Sequence, residues 1–373
     1  MLYYLYQLSD LFHGSDIAKA FHVFQYISFR AMGAGLSAFL LSLFFGKSVI
    51  KRLIALRVGQ PIRTAEDLDR TFALHQDKQG TPTMGGILLV GSVLFSTILW
   101  ARLNNPLIWI SFFTAAYLGA LGFLDDYLKV TKKKSAGISS RHKFLLQSLL
   151  AAMVTLAFIF IPSLSVQAQE LYVPFLKGPL IAHLGIVATF LFYLLVIVGS
   201  SNAVNITDGL DGLAAGCTVM AAFAYAIFNY LAGNLKVSTY LQIPHNLYSG
   251  ELSIVSMALA GAALGFLWWN CHPARVFMGD TGSLAIGGLL GVLAISCKQE
   301  ILLMLVGGIF VAEALSVILQ VASFKLTGRR IFKMSPLHHH FELSGWKEST
   351  VTIRFWIMAI VLGIIGLVTL KLR

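Results

Sequence analysis

The sequence predicts an all-α integral membrane protein with about ten transmembrane helices. Of its 373 residues, 57% are hydrophobic and only 12% are charged, whereas soluble domains carry about 25% charged residues. The mean hydropathy is +0.76. Apolar runs of about 20 residues, the length that crosses a bilayer, recur along the chain. Such runs must be helical because lipid offers no partner for an unpaired backbone group.

The apolar runs define ten segments, which we expect to form a single polytopic domain over residues 1–373. They are residues 23–45, 84–101, 107–126, 143–162, 181–200, 213–232, 252–270, 282–297, 301–324 and 352–371. The eighth segment is the shortest. Its glycines Gly287, Gly288 and Gly291 predict close packing against neighbouring helices.

Lysine and arginine are distributed unequally between the loops. Those after the odd-numbered segments carry nineteen, counting residues at the segment ends, and the opposite set with both termini carries seven. By the positive-inside rule, the loops after odd-numbered segments face the cytoplasm and both termini face the periplasm. The net charge of +11 is therefore a topology signal, and we do not expect nucleic-acid binding.

The polar clusters of the chain all fall in these predicted cytoplasmic loops. Lys78 and Thr83 flank a Gly-, Thr- and Pro-rich turn before the second segment, which suits either an anion site or an ordinary helix cap. Asp125 and Asp126 end the third segment, where the helix dipole disfavours negative charge. Carboxylates near the membrane are unfavourable, so this pair predicts metal ligands or a base, against the alternative of a solvated helix end.

A polar stretch at residues 201–212 separates the fifth and sixth segments. Asp208 and Asp211 would share one helix face if the sixth helix began there, although aspartates also cap helices. Residues 279–283 (Gly-Asp-Thr-Gly-Ser) resemble a phosphate cradle with one metal-binding carboxylate, Asp280. An aspartic protease would need two such carboxylates, and the Asp-Thr-Gly triplet occurs once.

The last polar loop contains three consecutive histidines, His338, His339 and His340, after four basic residues. Consecutive side chains point in different directions and rarely bind one ion, so phosphate binding fits better. Glu313 is an isolated acid in the ninth segment, and its sequence context is compatible with either a structural or a functional role. The candidate metal ligands are aspartates, and the cysteines form no metal-binding set, so the chain favours Mg²⁺ or Mn²⁺. Together with the basic residues and histidines, this favours phosphoryl transfer from a nucleotide donor to a lipid phosphate.

Five motifs in order resemble the polyprenyl-phosphate N-acetylhexosamine-1-phosphate transferase family, and most closely its muramoyl-pentapeptide branch. They are GTPTMGG (80–86), LDDY (124–127), NITDGLDG (205–212), FMGDTGS (277–283) and PLHHHFE (336–342). The resemblance implies a Mg²⁺-dependent enzyme of the bacterial inner membrane, with its active site facing the cytoplasm, that forms a homodimer. Its implied substrates are UDP-MurNAc-pentapeptide and undecaprenyl phosphate, and its products are lipid I and UMP.

The resemblance also implies roles for individual residues. Asp280 would bind magnesium, and Asp125, assisted by Asp126, would deprotonate the lipid phosphate; Asn205 and Asp208 would line the centre. The implied substrate contacts are Lys78 and Thr83 for phosphate, Gly209, Leu210, Asp211, Asn270 and Phe277 for uridine, and His338, His339 and His340 for the pyrophosphate or sugar. Ser283 is a further implied substrate contact. The alternatives are a sibling that transfers N-acetylglucosamine-1-phosphate and an ion-coupled transporter using Asp125, Asp126 and Glu313.

Overall fold

The computed structural model describes residues 1–12, 20–56, 80–131 and 137–372. Ten long helices dominate these residues, and we number them α1 to α10, referring to shorter helices by their residues. The ten are Ile27–Ala55, Gly86–Trp100, Pro106–Thr131, Ser140–Phe160, Ile186–Thr207, Leu213–Ala232, Leu252–Asn270, Gly279–Ser296, Gly308–Thr327 and Glu348–Val368. Between the described residues the only β contact is an isolated bridge from Leu171 to Ile181.

Length and hydropathy confirm the predicted class of a multi-pass, all-α membrane protein. Within the described part of the chain, nine helices are long and apolar enough to cross a membrane. The remaining one, α2, has 15 residues and is roughly 22 Å long, which is shorter than a hydrocarbon core of about 30 Å. The shortest of the ten is thus α2, and the prediction that the eighth would be shortest was wrong.

Several predicted boundaries differ from the structure, and those at the polar ends of α3 and α5 differ for one physical reason. The ninth segment is divided at Gly307 into a short helix, Glu300–Val306, and α9. Helix α3 continues to Thr131, which places Asp125 and Asp126 inside it, and α5 includes residues 201–207, which the sequence assigned to a loop. These polar residues stay helical because neighbouring helices supply partners; Asn202, for example, donates to Gln147 Oε1 of α4 at 3.0 Å.

Helix α8 lies at the centre of the bundle. It is the most enclosed of the nine described helices that are long and apolar enough to cross a membrane, with 89% of its residues buried inside the protein. A Cβ at Gly287 would overlap the backbone of Ser200 and Ser201 in α5, and one at Gly288 would overlap Leu118 of α3. The close packing predicted from these glycines is confirmed, and it fixes the register of α8 against α3 and α5.

The two ends of the bundle differ in their polar contacts. At one end Arg30 of α1 forms a buried bidentate pair with Glu251, at 2.7 and 2.6 Å, and the Met1 amine donates to the Ile98 carbonyl oxygen at 2.9 Å. The other end gathers the last turns of α3 and α5 and the first turns of α4 and α8. The acidic motifs of the sequence therefore meet at a single end of the bundle.

Candidate active site

Asp280, in the first turn of α8, is the centre of the acidic cluster. Its Oδ2 accepts hydrogen bonds from Lys129 Nζ of α3 at 3.0 Å and from Lys143 Nζ of α4 at 2.7 Å. Its Oδ1 accepts one from Asn205 Nδ2 of α5 at 2.8 Å. Three helices therefore position a single carboxylate, and two ammonium groups compensate its charge.

Asp125 faces the same pair of lysines. Lys129 Nζ lies 2.6 Å from Asp125 Oδ2, so this ammonium bridges the carboxylates of α3 and α8. The Ile138 N–H donates to Asp125 Oδ1 at 2.6 Å, and the side chain is almost fully buried. A carboxylate held this firmly is oriented before any substrate binds. Lys129 is four residues after Asp125, a spacing visible in the sequence, whereas Lys143 gave no such signal.

Asp126 caps the start of α8. Its carboxylate accepts from the N–H groups of Asp280 and Thr281 at 3.2 and 3.0 Å and from Thr281 Oγ1 at 2.8 Å. A Cβ at Gly279, where φ is +70°, would lie 2.6 Å from Asp126 Oδ2 and 2.9 Å from Thr83 Oγ1. A glycine is therefore needed at this turn. Asp126 positions Asp280, and Thr83 is buried beside it.

Asp208 follows the last turn of α5 and is partly exposed. Desolvation by the surrounding protein raises the pKa of Asp208 to about 7, and the negative charges of Asp280 and Asp126 add to the effect. A hydrogen bond from the Gly279 backbone opposes it in part. A carboxyl group with a pKa near neutrality can bind and release a proton at working pH.

Asp211 lies in the turn before α6, which begins only at Leu213, so the condition under which Asp208 and Asp211 would share a helix face is not met. Its Oδ2 accepts from the Ala274 N–H at 3.0 Å and lies 3.1 Å from His272 Nδ1, and its own N–H donates to Glu348 Oε1 at 2.8 Å. One ligand atom from each of Asp211, His272 and Glu348 lies within 4.8 Å of the others, close enough for a metal ion. His272 lies in the loop before α8 and Glu348 is the first residue of α10, and neither belongs to a motif, so the sequence gave no signal for them.

Other predicted substrate contacts lie around this end of the bundle. Asn270 Oδ1 accepts from the Gly212 N–H at 3.2 Å and its Nδ2 donates to the Val276 carbonyl at 2.9 Å. Phe277 is partly buried and its N–H donates to the Pro82 carbonyl at 2.8 Å. Asn270 and the Phe277 backbone therefore link the loops of the predicted uridine pocket.

The remaining predicted contacts differ in exposure. Ser283 is buried and accepts from Asn205 Nδ2 at 2.9 Å. Leu210 is buried and Gly209 is exposed. Lys78 lies outside the described residues. Gly209 is therefore accessible to a ligand, whereas Ser283 is buried and helps to hold the Asn205 side chain.

The three histidines have three different surroundings. His338 Nδ1 lies 3.3 Å from Glu313 Oε2, and His339 Nδ1 lies 2.8 Å from Glu342 Oε2. His340 Nδ1 accepts from the Lys333 N–H at 3.1 Å. The three rings therefore have different hydrogen-bond partners, although the rings of His338 and His339 are in contact, with centroids 4.2 Å apart.

Comparison with known families defines the class of this chain. The family model described as glycosyl transferase family 4 matches residues 108–298, which include Asp125, Asp126, Asp208 and Asp280. The chain is therefore an integral membrane member of glycosyl transferase family 4, with its acidic cluster at one end of the helical bundle.

Closer relatives specify the family further. A signature described as phospho-N-acetylmuramoyl-pentapeptide-transferase signature 1 matches residues 78–90. Curated proteins named phospho-N-acetylmuramoyl-pentapeptide-transferase are 50% identical in Methylacidiphilum infernorum, 49% in Citrifermentans bemidjiense and 50% in Desulfotalea psychrophila, each over 100% of both chains. The chain belongs to the phospho-N-acetylmuramoyl-pentapeptide-transferase family.

Proposed function

We propose that this protein transfers phospho-N-acetylmuramoyl-pentapeptide from its UDP-activated donor to undecaprenyl phosphate, giving lipid I and UMP in peptidoglycan biosynthesis. The full-length identity to transferases of that name supports the substrates. The observation that carries the chemistry is the cluster of Asp125, Asp280, Lys129 and Lys143 at one end of a membrane-spanning bundle. There a water-soluble donor and a lipid phosphate can meet.

In the proposed reaction an oxygen of the lipid phosphate attacks the β-phosphorus of the donor. A new P–O bond forms as the bond from the β-phosphorus to the bridging oxygen breaks, and UMP leaves with that electron pair. We assign to Asp125 the acceptance of a proton from the lipid phosphate, and its contacts with Ile138 and Lys129 fix its orientation. Lys129 and Lys143 offset the negative charge of the bound phosphates. Positioning and charge compensation are the main requirements of such a transfer.

We also propose that the transfer depends on Mg²⁺, held by Asp280. Asp280 Oδ2 already contacts two ammonium groups, and this supports the fit of a cation at the same position. Its oxygen donors and the neighbouring Asp125 are the hard ligands that Mg²⁺ takes together with substrate phosphates. When bound, the ion would neutralise the pyrophosphate and stabilise the leaving UMP.

The distribution of basic residues supports an orientation in the bacterial inner membrane. With the positive-inside rule, the acidic cluster faces the cytoplasm and both termini face the periplasm. A cytoplasmic site fits a nucleotide-linked donor. Assembly as a homodimer is a further proposal, and it rests on the family resemblance.

A UMP-release assay tests the proposal. Purified protein in detergent would be incubated with undecaprenyl phosphate and either UDP-MurNAc-pentapeptide or UDP-N-acetylglucosamine, with and without EDTA. We expect UMP only with the muramoyl donor, and its loss in EDTA. Release from UDP-N-acetylglucosamine would instead identify the sibling transferase. Solute flux through liposomes without UMP formation would identify a transporter.

A further inference from the structure

A buried carboxylate that the proposed function leaves without a role lies in α9 beside the first of the three histidines. Glu313 is fully buried and His338 is 1% exposed. The His338 backbone N–H donates to Glu313 Oε1 at 3.1 Å, and His338 Nδ1 lies 3.3 Å from Glu313 Oε2. One carboxylate thus contacts both the backbone and the ring of the same histidine.

The polar atoms of this pair are incompletely satisfied. Among the described residues, Glu313 Oε2 and both ring nitrogens of His338 are buried without a hydrogen-bond partner. A proton on Nδ1 makes the contact with Oε2 at 3.3 Å attractive, whereas an unprotonated Nδ1 would place its lone pair against those of Oε2. Buried polar atoms without partners are strongly unfavourable. The geometry therefore favours the form of His338 with a proton on Nδ1.

The other ring nitrogen, Nε2, is directed at the turn that carries Asp208. A Cβ at Gly209 would lie 2.8 Å from His338 Cε1 and closer still to Nε2. The absence of a side chain at Gly209 lets the ring edge pack directly against this turn, and Gly209 itself is exposed. A nitrogen without a protein partner directly beneath an exposed turn is the ring atom that a ligand bound at that turn would contact.

We propose that Glu313 is a positioning residue, which fixes the proton of His338 on Nδ1 and presents the unprotonated Nε2 as a hydrogen-bond acceptor to a hydroxyl group of the substrate at the Asp208–Gly209 turn. The proposal rests on the proposed function for the nature of that group, a sugar hydroxyl of the donor. It also separates His338 from its neighbours, since His339 contacts Glu342 and His340 accepts from Lys333. A carboxylate that orients a histidine in this way controls which nitrogen faces the substrate.

The substitution Glu313→Gln makes the proposal testable. The amide oxygen of the new side chain would stay with the His338 backbone N–H, because that donor needs an acceptor. The amide NH₂ would then face Nδ1 as a donor and force the ring proton onto Nε2. The variant keeps the shape of the pair and reverses the tautomer.

The measurement is the ¹⁵N NMR spectrum of the ligand-free protein with labelled histidine, in which the His338 signals are those lost in His338→Asn. We expect a protonated Nδ1 in the wild type and an unprotonated Nδ1 in Glu313→Gln. Glu300→Gln is the matched control, because Glu300 is equally buried and pairs with Lys298 at 2.9 Å beyond the far end of α8. Its His338 spectrum should match the wild type.

Kinetics supply the second arm. Glu313→Gln should lower kcat for UMP release by about 10- to 100-fold, the range for groups that orient a functional histidine. An unprotonated Nδ1 in the wild type would overturn the proposal even if the variant does not fold, as would a variant with unchanged tautomer or unchanged kcat. If wild-type protein releases no UMP, the proposed function fails while the tautomer result still decides the role of Glu313 toward His338.

Discussion

Gly137 offers a way to move Asp125 without changing any charge. A Cβ at Gly137 would lie 2.9 Å from both Cγ and the carbonyl oxygen of Asp125, and closer still to Oδ1. Ordinary contacts begin at 3.4 Å. The Asp125 carboxylate and the backbone at residue 137 must therefore separate by roughly 0.5 to 1 Å in a Gly137→Ala variant, a displacement of the size that can lower a rate by about 10²-fold.

The assay is UMP release at saturating donor and lipid phosphate. We expect kcat of Gly137→Ala to fall by about 10²-fold, because the attacking oxygen would lose its aligned base. Gly199→Ala is the control, since a Cβ at Gly199 has nothing within 4 Å among the described residues. Its kcat should equal that of the wild type.

A comparison with Asp125→Asn decides whether the Asp125 carboxylate takes part in the transfer. If Gly137→Ala keeps full activity while Asp125→Asn is inactive, the position of the Asp125 carboxylate between Lys129 and Ile138 is not its catalytic position. If both variants are near normal, Asp125 has no role in the transfer. Equal loss in Gly137→Ala and Gly199→Ala would mean that the substitutions act through the fold.

Three further predictions concern the other aspartates. Asp280→Asn should abolish turnover and weaken Mn²⁺ binding about tenfold or more, measured by electron paramagnetic resonance; unchanged binding would remove its assignment as metal ligand. Because the pKa of Asp208 is raised from 3.8 to about 7, the native protein holds a proton there that the unfolded chain has lost, so this contribution to the free energy of unfolding is lost as the pH rises through 7. Infrared spectra should show a carboxylic-acid band that disappears between about pH 6 and 8, and a band that persists in Asp208→Asn would contradict the assignment. Asp126→Ala removes three hydrogen bonds at the start of α8 and should lower the free energy of unfolding by about 2–4 kcal/mol, more than Thr281→Val, in denaturant titrations.

The sequence was sufficient for the membrane class and for most of the helices. The predicted bounds of α6 and α7, residues 213–232 and 252–270, match the structure, because glycine and polar residues mark the ends of these apolar runs. The motifs also identified the acidic residues that meet at one end of the bundle. Composition and apolar length are local properties of a chain, so they can be read without the fold.

Only the tertiary structure separated the roles of residues that look alike in the sequence. Asp125 contacts two lysines while the adjacent Asp126 caps α8. Asp211 accepts from the Ala274 N–H, whereas Asp208 accepts from the Gly279 backbone. The sequence did not predict the contact between Glu313 and His338 either. These contacts join helices distant in the chain, and they depend on how each helix is rotated against its neighbours. Helix rotation is set by packing, such as that of the glycines of α8, and no local pattern in the sequence specifies it.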